Sequence, residues 1–179
     1  MLNNIMTEGE CSKLRSLIHH ANNIVLCCHV SPDGDAIGSV LGMAEVLKCM
    51  GKEPVMVVPD QFPDYLQWLP NTEKIVRYDK RSDYVDMVLK IADLVICLDF
   101  NALSRTDDME AALEACTAPR VLIDHHLNPS IACQVCVSHP NMSSTSELVF
   151  RVAWQLGLFE RLGRHFATAV YCGMMTDTG

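Results

Sequence analysis

The sequence lacks any apolar run of about 18 or more residues, the length that a membrane-spanning helix requires. It also lacks the basic segment followed by an apolar stretch that marks a secretory signal. No internal repeat, low-complexity tract or linker is visible, so one domain is expected for 179 residues. These absences predict a globular protein of the cytoplasm with no membrane partner.

Positive charge is also scarce, with 14 Lys and Arg against 22 Asp and Glu and a formal net charge of −8. A protein that holds long nucleic acid by its phosphates is expected to be basic. The charge therefore disfavours long nucleic acid and favours a short or small substrate.

Nine cysteines are present, but their pattern does not predict a disulfide framework or a structural zinc site. Cys27 and Cys28 stand inside an apolar run, where thiols behave as small hydrophobic groups. The Cys133-x-x-Cys136 pair has no second pair to complete a zinc site. We expect reduced thiols, as in cytosolic proteins.

Apolar strands alternate with amphipathic helices, which predicts an α/β fold with a mainly parallel sheet flanked by helices. Strands are expected at 24–28, 54–58, 74–78, 94–98, 120–123 and 134–138. Helices are expected from the Thr7 capping box to about 21, at 36–50, 84–92 and 107–116, from Ser144 or Thr145 to about 156, and at 163–175, with a short turn or helix near 64–68.

Six side chains of the types that bind metals fall where predicted strands or helices end. They are His29, Asp33, Asp35, Asp99, His125 and Asp177. Ligands of open parallel sheets bind beyond the carboxyl ends of the strands. A shared metal site at that edge is therefore expected.

The segment around Asp33 and Asp35 leads from a strand, through a Pro-Asp-Gly turn, into a helix N-terminus that attracts anions. In an extended loop, carboxylates two residues apart would reach two different metals. The alternative is an acidic turn that merely caps the helix.

Two further strands end in residues of the same kinds. Asp99 would be either a ligand or a lone loop carboxylate that caps the next segment of the chain. In Asp124-His125-His126, one imidazole would bind metal while the other faces a substrate phosphate, and Asp124 would fix a tautomer. The alternative is a structural histidine pair.

Carboxylates and imidazoles without cysteine suit manganese, magnesium or iron. Two such cations about 3.5–4 Å apart clamp a phosphate and turn a bridging water into a hydroxide nucleophile near neutral pH.

These residues resemble, in order, the four motifs of the DHH phosphoesterases. The motifs are His29-x-x-Pro32-Asp33-Gly34-Asp35-Ala36-Ile37-Gly38-Ser39, Asp99 with Arg105, Asp124-His125-His126, and Thr176-Asp177-Thr178-Gly179. The first motif is most similar to the branch of NrnA-like oligoribonucleases and 3′-phosphoadenosine-5′-phosphate phosphatases. The resemblance implies a Rossmann-like catalytic domain over residues 1–179, without the C-terminal DHH-associated domain that binds substrate in the family.

The resemblance also implies a role for each site residue. His29 and Asp33 would hold one metal, and Asp35, His125 and Asp177 the other. Asp99 would bridge both metals, and His126 would contact the scissile phosphate. Arg105 would be a structural or phosphate contact. The segment 143–145 would lie near the site or cap a helix.

The resulting hypothesis is a manganese-dependent phosphoesterase, with magnesium or iron as alternative metals. Its substrates would be short oligoribonucleotides, 3′-phosphoadenosine-5′-phosphate, or both. One alternative is a phosphodiesterase of cyclic or linear dinucleotides, and another is a non-catalytic nucleotide-binding module. The sequence leaves a homodimer open.

Overall fold

The computed structural model of the chain describes residues 3–178. Gly179, the last residue of the fourth motif, lies outside the described residues. The strands are β1 (Ile24–Cys27), β2 (Val55–Val58), β3 (Val76–Arg77), β4 (Leu94–Leu98), β5 (Arg120–Asp124) and β6 (Val135–Ser138). The helices are α1 (Glu8–His20), α2 (Gly34–Cys49), α3 (Tyr78–Ile91), α4 (Glu110–Ala115), α5 (Thr145–Gln155) and α6 (Arg164–Thr178). Short 3-10 turns lie at Asp64–Leu66, Thr72–Lys74, Leu103–Met109 and Phe159–Arg161.

The six strands form one parallel sheet in the order β3-β2-β1-β4-β5-β6. This is the order of doubly wound Rossmann-like folds. The predicted α/β class with a parallel sheet is therefore confirmed.

The two faces of the sheet are covered by different helices, because successive strand residues point to opposite sides. From β1, Ile24 and Leu26 pack in the cluster that includes α1, α2, α5 and α6. Val25 and Cys27 pack on the other face with α3 and α4. Both faces of the strands are thus buried, which explains their nearly continuous apolar sequences.

Several predicted boundaries were wrong, including the start of the third helix, which is Tyr78 rather than residue 84. The third strand has two residues rather than five, because the 3-10 turn Thr72–Lys74 precedes it and α3 begins at Tyr78. The helix α3 bends at Arg81, where φ is −143°. The helix expected at 107–116 begins only at Glu110, because the residues up to Met109 belong to a 3-10 turn that is interrupted at Asp107, where φ is 49°. The second helix begins at Gly34 rather than at residue 36.

Glycines allow α2, α5 and α6 to pack very closely. A Cβ atom at Gly38 on α2 would lie 2.6 Å from the carbonyl oxygen of Ala169 on α6. A Cβ atom at Gly173 on α6 would lie 2.7 Å from Cβ of Ser146 on α5. This contact brings the last turn of α6, with Asp177, against the beginning of α2.

Within residues 3–178, no helix combines the length and the apolar composition needed to cross a membrane.

Candidate metal centre

The predicted ligands meet where the strand order reverses. Strands β1 and β4 are neighbours, but the chain leaves them toward opposite edges of the sheet. Such a point leaves a crevice at the carboxyl ends of the strands. His29 follows β1, Asp99 follows β4, and His125 follows β5, while Asp35 and Asp177 arrive on α2 and α6.

One cluster consists of His29, Asp33 and Asp99, which could hold a metal ion. Nε2 of His29 lies 3.5 Å from Oδ2 of Asp99 and 3.9 Å from Oδ2 of Asp33. The other ring nitrogen, Nδ1, lies 2.7 Å from the Val30 carbonyl oxygen. A carbonyl accepts only, so Nδ1 carries a proton, and the neutral ring then has Nε2 as a ligand atom.

The second cluster consists of Asp35, His125 and Asp177. Nε2 of His125 lies 3.4 Å from Oδ2 of Asp177 and 3.9 Å from Oδ2 of Asp35. It also lies 3.6 Å from Oδ1 of Asp99. Asp99 therefore turns one oxygen toward each cluster, the arrangement that a bridging carboxylate needs.

Asp35 is held by the first turn of α5. Its Oδ2 accepts from the Thr145 backbone N–H at 2.6 Å, and its Oδ1 accepts from the Ser146 N–H at 2.8 Å. The free N–H groups and the dipole of a helix N-terminus favour an anion there. Burial, together with the negative charge of Asp99, nevertheless raises the pKa of Asp35 to about 7.

Asp99 is buried and its backbone is left-handed, with a φ of 67°. Burial on its own acts to raise the pKa of Asp99, but hydrogen bonding to His29, the His29 charge and the Thr145 hydroxyl lower it overall. The pKa of His29 is raised. Burial acts to lower this pKa because it disfavours the charged ring, but Asp99 and the Val30 carbonyl raise the pKa by more. Oγ1 of Thr145 donates to Oδ1 of Asp99 at 2.8 Å.

Asp33 combines the two functions that the sequence presented as alternatives. Its Oδ1 accepts from the N–H groups of Asp35 and Ala36 at 2.9 and 3.0 Å, so it caps α2. Its Oδ2 faces His29. The two aspartates therefore reach different clusters from the start of a helix, not from an extended loop.

His126 is oriented by Asp124. Nδ1 of His126 donates to Oδ1 of Asp124 at 2.7 Å, and the ring is 31% exposed, so its other edge is accessible. Asp124 is fully buried, and its Oδ2 has no hydrogen-bond partner among residues 3–178. The sequence predicted this orienting contact.

Arg105 is exposed in the 3-10 turn after β4. Its carbonyl oxygen accepts from the Val30 N–H at 2.7 Å, which ties this turn to the loop that carries His29. Its contact with a phosphate stays a prediction.

The donor set fits divalent cations. Asp35 and Asp99 are nearly inaccessible carboxylates with both clusters around them. Burying two neighbouring negative charges is unfavourable unless positive charge compensates them. Oxygen and imidazole donors suit manganese, magnesium or iron.

Sequence reasoning assigned the segment 143–145 to capping or to the site without distinguishing its members. In the structure Ser144 caps α5, since its Oγ accepts from the Glu147 N–H at 3.0 Å. Thr145 instead contacts Asp99. The roles of Ser144 and Thr145 can be distinguished only in the folded structure, because neighbouring residues at the start of a helix point in different directions.

Comparison with known proteins agrees with this description. The model of the DHH family, N-terminal domain, matches residues 23–174. The bifunctional oligoribonuclease and PAP phosphatase NrnA of Thermus thermophilus is 33% identical over 159 residues, which are 87% of this chain and 43% of that protein. The cyclic-di-AMP phosphodiesterase GdpP of Bacillus subtilis is 25% identical over 175 residues, 92% of this chain and 26% of that protein. The chain thus spans less than half the length of these relatives.

Solved structures share the fold. An exopolyphosphatase-related protein from Bacteroides fragilis superposes with a TM-score of 0.96 at 42% identity, over 99% of this chain and 52% of that one. RecJ of Thermus thermophilus in complex with Mn²⁺ gives a TM-score of 0.55 at 14% identity, over 94% of this chain and 24% of that one, which is a likeness of fold alone. The match to the family model and the sequence identity to NrnA show that the chain belongs to the DHH family and corresponds to that family's N-terminal domain.

Proposed function

We propose that the chain is the catalytic domain of a two-metal phosphoesterase that acts on nucleotides. The observation that carries this proposal is the placement of Asp99, whose two oxygens face two separate clusters of ligand-type side chains. His29 and Asp33 would hold one cation, Asp35, His125 and Asp177 would hold the other, and Asp99 would bridge them.

Bound divalent cations would supply an activated water and positive charge against the phosphoryl oxygens. The protein's own contribution is to fix the ligands before substrate arrives. Thr145 and Ser146 hold Asp35 in one rotamer, and the Val30 carbonyl sets the tautomer of His29. Such preorganisation avoids reorganising the site during the reaction.

His126 is the group we assign to the scissile phosphate. The Asp124 carboxylate, 2.7 Å away, keeps the proton on Nδ1 and sets the ring plane. The exposed edge of the ring carries Nε2, which can donate to a phosphoryl oxygen when protonated. A donor aimed at developing charge stabilises the transition state.

The proposed substrates are short oligoribonucleotides and 3′-phosphoadenosine-5′-phosphate. The similarity to a bifunctional oligoribonuclease and PAP phosphatase supports both, and the net charge of −8 argues against long nucleic acid. A dinucleotide phosphodiesterase is the second candidate, supported by the similarity to GdpP. Manganese as the metal and a cytoplasmic location stay predictions.

The direct test is hydrolysis by the chain in Mn²⁺ of four substrates: a trinucleotide RNA, 3′-phosphoadenosine-5′-phosphate, linear di-adenylate and pyrophosphate. Asp99→Asn should abolish cleavage. Asp83→Asn, which changes an exposed aspartate of α3, is the matched control and should cleave normally. Preference for the di-adenylate would favour the second candidate. Tight nucleotide binding without any cleavage would replace the proposal with a non-catalytic module.

A further inference from the structure

A groove leaves the metal centre along the carboxyl edge of the sheet, on the side away from β4. Its first part is a cavity of about 300 Å³ between the segments Ser31–Asp33 and Gln61–Pro63. These segments follow β1 and β2, which are adjacent strands. Asp33 belongs both to this cavity and to the His29 cluster, so the groove opens directly from the proposed site.

The groove continues past Phe62 toward the end of β3. A second cavity of about 340 Å³ shares Gln61 and Phe62 with the first and reaches Ile75 and Arg77. The metal clusters occupy the ends of β1, β4 and β5, whereas the groove occupies the ends of β1, β2 and β3. A ligand whose phosphate sits at the metals could therefore extend over Phe62.

The wall of the groove is fixed by hydrogen bonds. The carboxylate of Asp60 accepts from the Ser31 N–H at 2.6 Å and joins the loop after β1 to the loop after β2. Ser31 has a φ of 52°, a conformation that a non-glycine residue keeps only when its surroundings hold it. The groove is thus a built feature of the fold.

The lining favours a neutral, planar group. Phe62, one side of which packs against the core, and Ile75 supply apolar contacts, and Thr72 and Glu73 complete the lining. The Gln61 amide oxygen accepts from Arg77 at 3.4 Å and the Gln67 amide nitrogen donates to Asp64 at 2.8 Å, which leaves the Gln61 nitrogen and the Gln67 oxygen to contact a ligand. Arg77 is already paired, with Nη2 and Nε 2.6 and 3.0 Å from the carboxylate oxygens of Asp79. Because Asp79 neutralises this guanidinium, Arg77 does not favour a second phosphate here.

We propose that this groove binds the nucleobase of the nucleotide whose phosphate lies at the metal centre. Phe62 stacks on the base, and the amides of Gln61 and Gln67 contact its edge. Aromatic stacking accepts any base, which suits a ligand of variable sequence. This inference rests on the proposed function, because the metal centre anchors the phosphate.

The test is calorimetric titration of the Mn²⁺-loaded chain with two ligands, AMP and ribose 5-phosphate, which share the sugar phosphate and differ at C1, where AMP carries the base and ribose 5-phosphate a hydroxyl group. The wild-type chain should bind AMP about 10-fold more tightly, the usual scale of one stacked base. Phe62→Ala should lose this preference without changing the affinity for ribose 5-phosphate. Phe62→Tyr should keep the preference, because it retains the ring.

Two further variants keep the result interpretable. Gln61→Ala changes an exposed side chain whose one hydrogen bond, from Arg77, is 3.4 Å long, and it should weaken AMP binding alone. Phe159→Ala removes an aromatic side chain, 46% exposed, from a surface outside the groove, and it should leave the preference intact.

Equal binding of the two ligands by the wild-type chain would overturn the subsite, as would a preference for AMP that survives in both Phe62→Ala and Gln61→Ala. Failure of AMP to bind would also overturn it. The proposed function fails separately: a chain that prefers AMP through Phe62 but cleaves no substrate would keep the subsite and lose the activity.

Discussion

Asp99 shows how one residue serves two clusters. Its left-handed backbone, with a φ of 67°, is uncommon outside glycine, although aspartate and asparagine adopt it more readily than other residues, and such states collect at functional sites. The Asp99 N–H donates to the Ile123 carbonyl at 3.1 Å, which continues the pairing of β4 with β5. Thr145 then fixes the carboxylate from the other side. The fold therefore determines both the position and the orientation of the Asp99 carboxylate.

Replacing His126 with alanine should separate catalysis from metal binding. We expect kcat to fall by about 100-fold or more, the usual loss when a donor to developing charge is removed. Asp99, His125 and His126 also lie close enough to share an ion, but the proposed ligand sets use only the first two, so manganese affinity should stay close to that of the wild type. Steady-state kinetics with a trinucleotide RNA, beside calorimetric titration with Mn²⁺, measures both. A matching loss of metal affinity would show that His126 is a ligand instead.

The pKa of Asp35 predicts a pH dependence of stability in the metal-free protein. Because burial and the Asp99 charge raise this pKa to about 7 in the folded state, folded protein holds the proton more tightly than unfolded protein. The contribution of Asp35 is therefore fully present below the ordinary pKa of an unfolded Asp, about 3.9, and is lost as the pH rises through about 7. In EDTA, the melting temperature should fall from about pH 5 to about pH 8.

Asp35→Asn should reduce this fall, because an amide does not titrate, although the variant is expected to melt lower at both pH values. Saturating Mn²⁺ at the higher pH should restore stability in the wild-type chain, since a ligand that binds only the folded state stabilises it. An equal fall in the variant and in the wild type would contradict the assignment.

At the scale of elements, the contact between α2, α5 and α6 is what brings Asp177 to the site. Gly173 faces Ser146, and a Cβ atom there would also lie 3.0 Å from Oδ1 of Asp35. Overpacking of this kind typically costs about 1–3 kcal/mol. The helix has to move away, and its last turn carries Asp177.

Gly173→Ala should therefore lower the melting temperature and weaken Mn²⁺ binding together. Gly163→Ala is the matched control, because a Cβ atom at Gly163, just before α6, meets no heavy atom of the described residues within 4 Å. Differential scanning calorimetry and Mn²⁺ titration of both variants test the prediction. Normal metal affinity in Gly173→Ala would mean that Asp177 does not depend on this packing.

Elements with a strong local signal could be predicted from the sequence. The apolar run of β4 and the capping box before α1 both gave correct elements, because burial on both sheet faces and a reciprocal cap are written in adjacent residues. The start of α3 and the split before α4 could not be predicted. They depend on backbone states at Arg81 and Asp107 that local propensity does not specify.

The placement of the candidate ligands was predictable to a similar degree, while their roles stay predictions. The six ligand-type residues could be proposed because they end strands and helices, and the fold brings all six together. The contact of Thr145 with Asp99 and the bond from Ser31 to Asp60 could not be proposed. Both join segments that are distant in the chain, so no local pattern records them.

At the scale of the whole molecule, the strand order explains why one edge carries all the proposed chemistry. The reversal between β1 and β4 opens a crevice whose inner part holds the carboxylates and imidazoles and whose outer part is the groove past Phe62. A strongly acidic centre of this kind needs cations to compensate its charge. The number of cations that the chain binds is therefore the decisive quantity.

That number is measured by titration calorimetry with Mn²⁺, together with elemental analysis of the dialysed protein. We expect two ions per chain for the wild type and loss of high-affinity binding in Asp99→Asn, with Asp83→Asn unchanged. No high-affinity ion in the wild type, a single one, or two ions retained in Asp99→Asn would contradict a bridged two-metal centre.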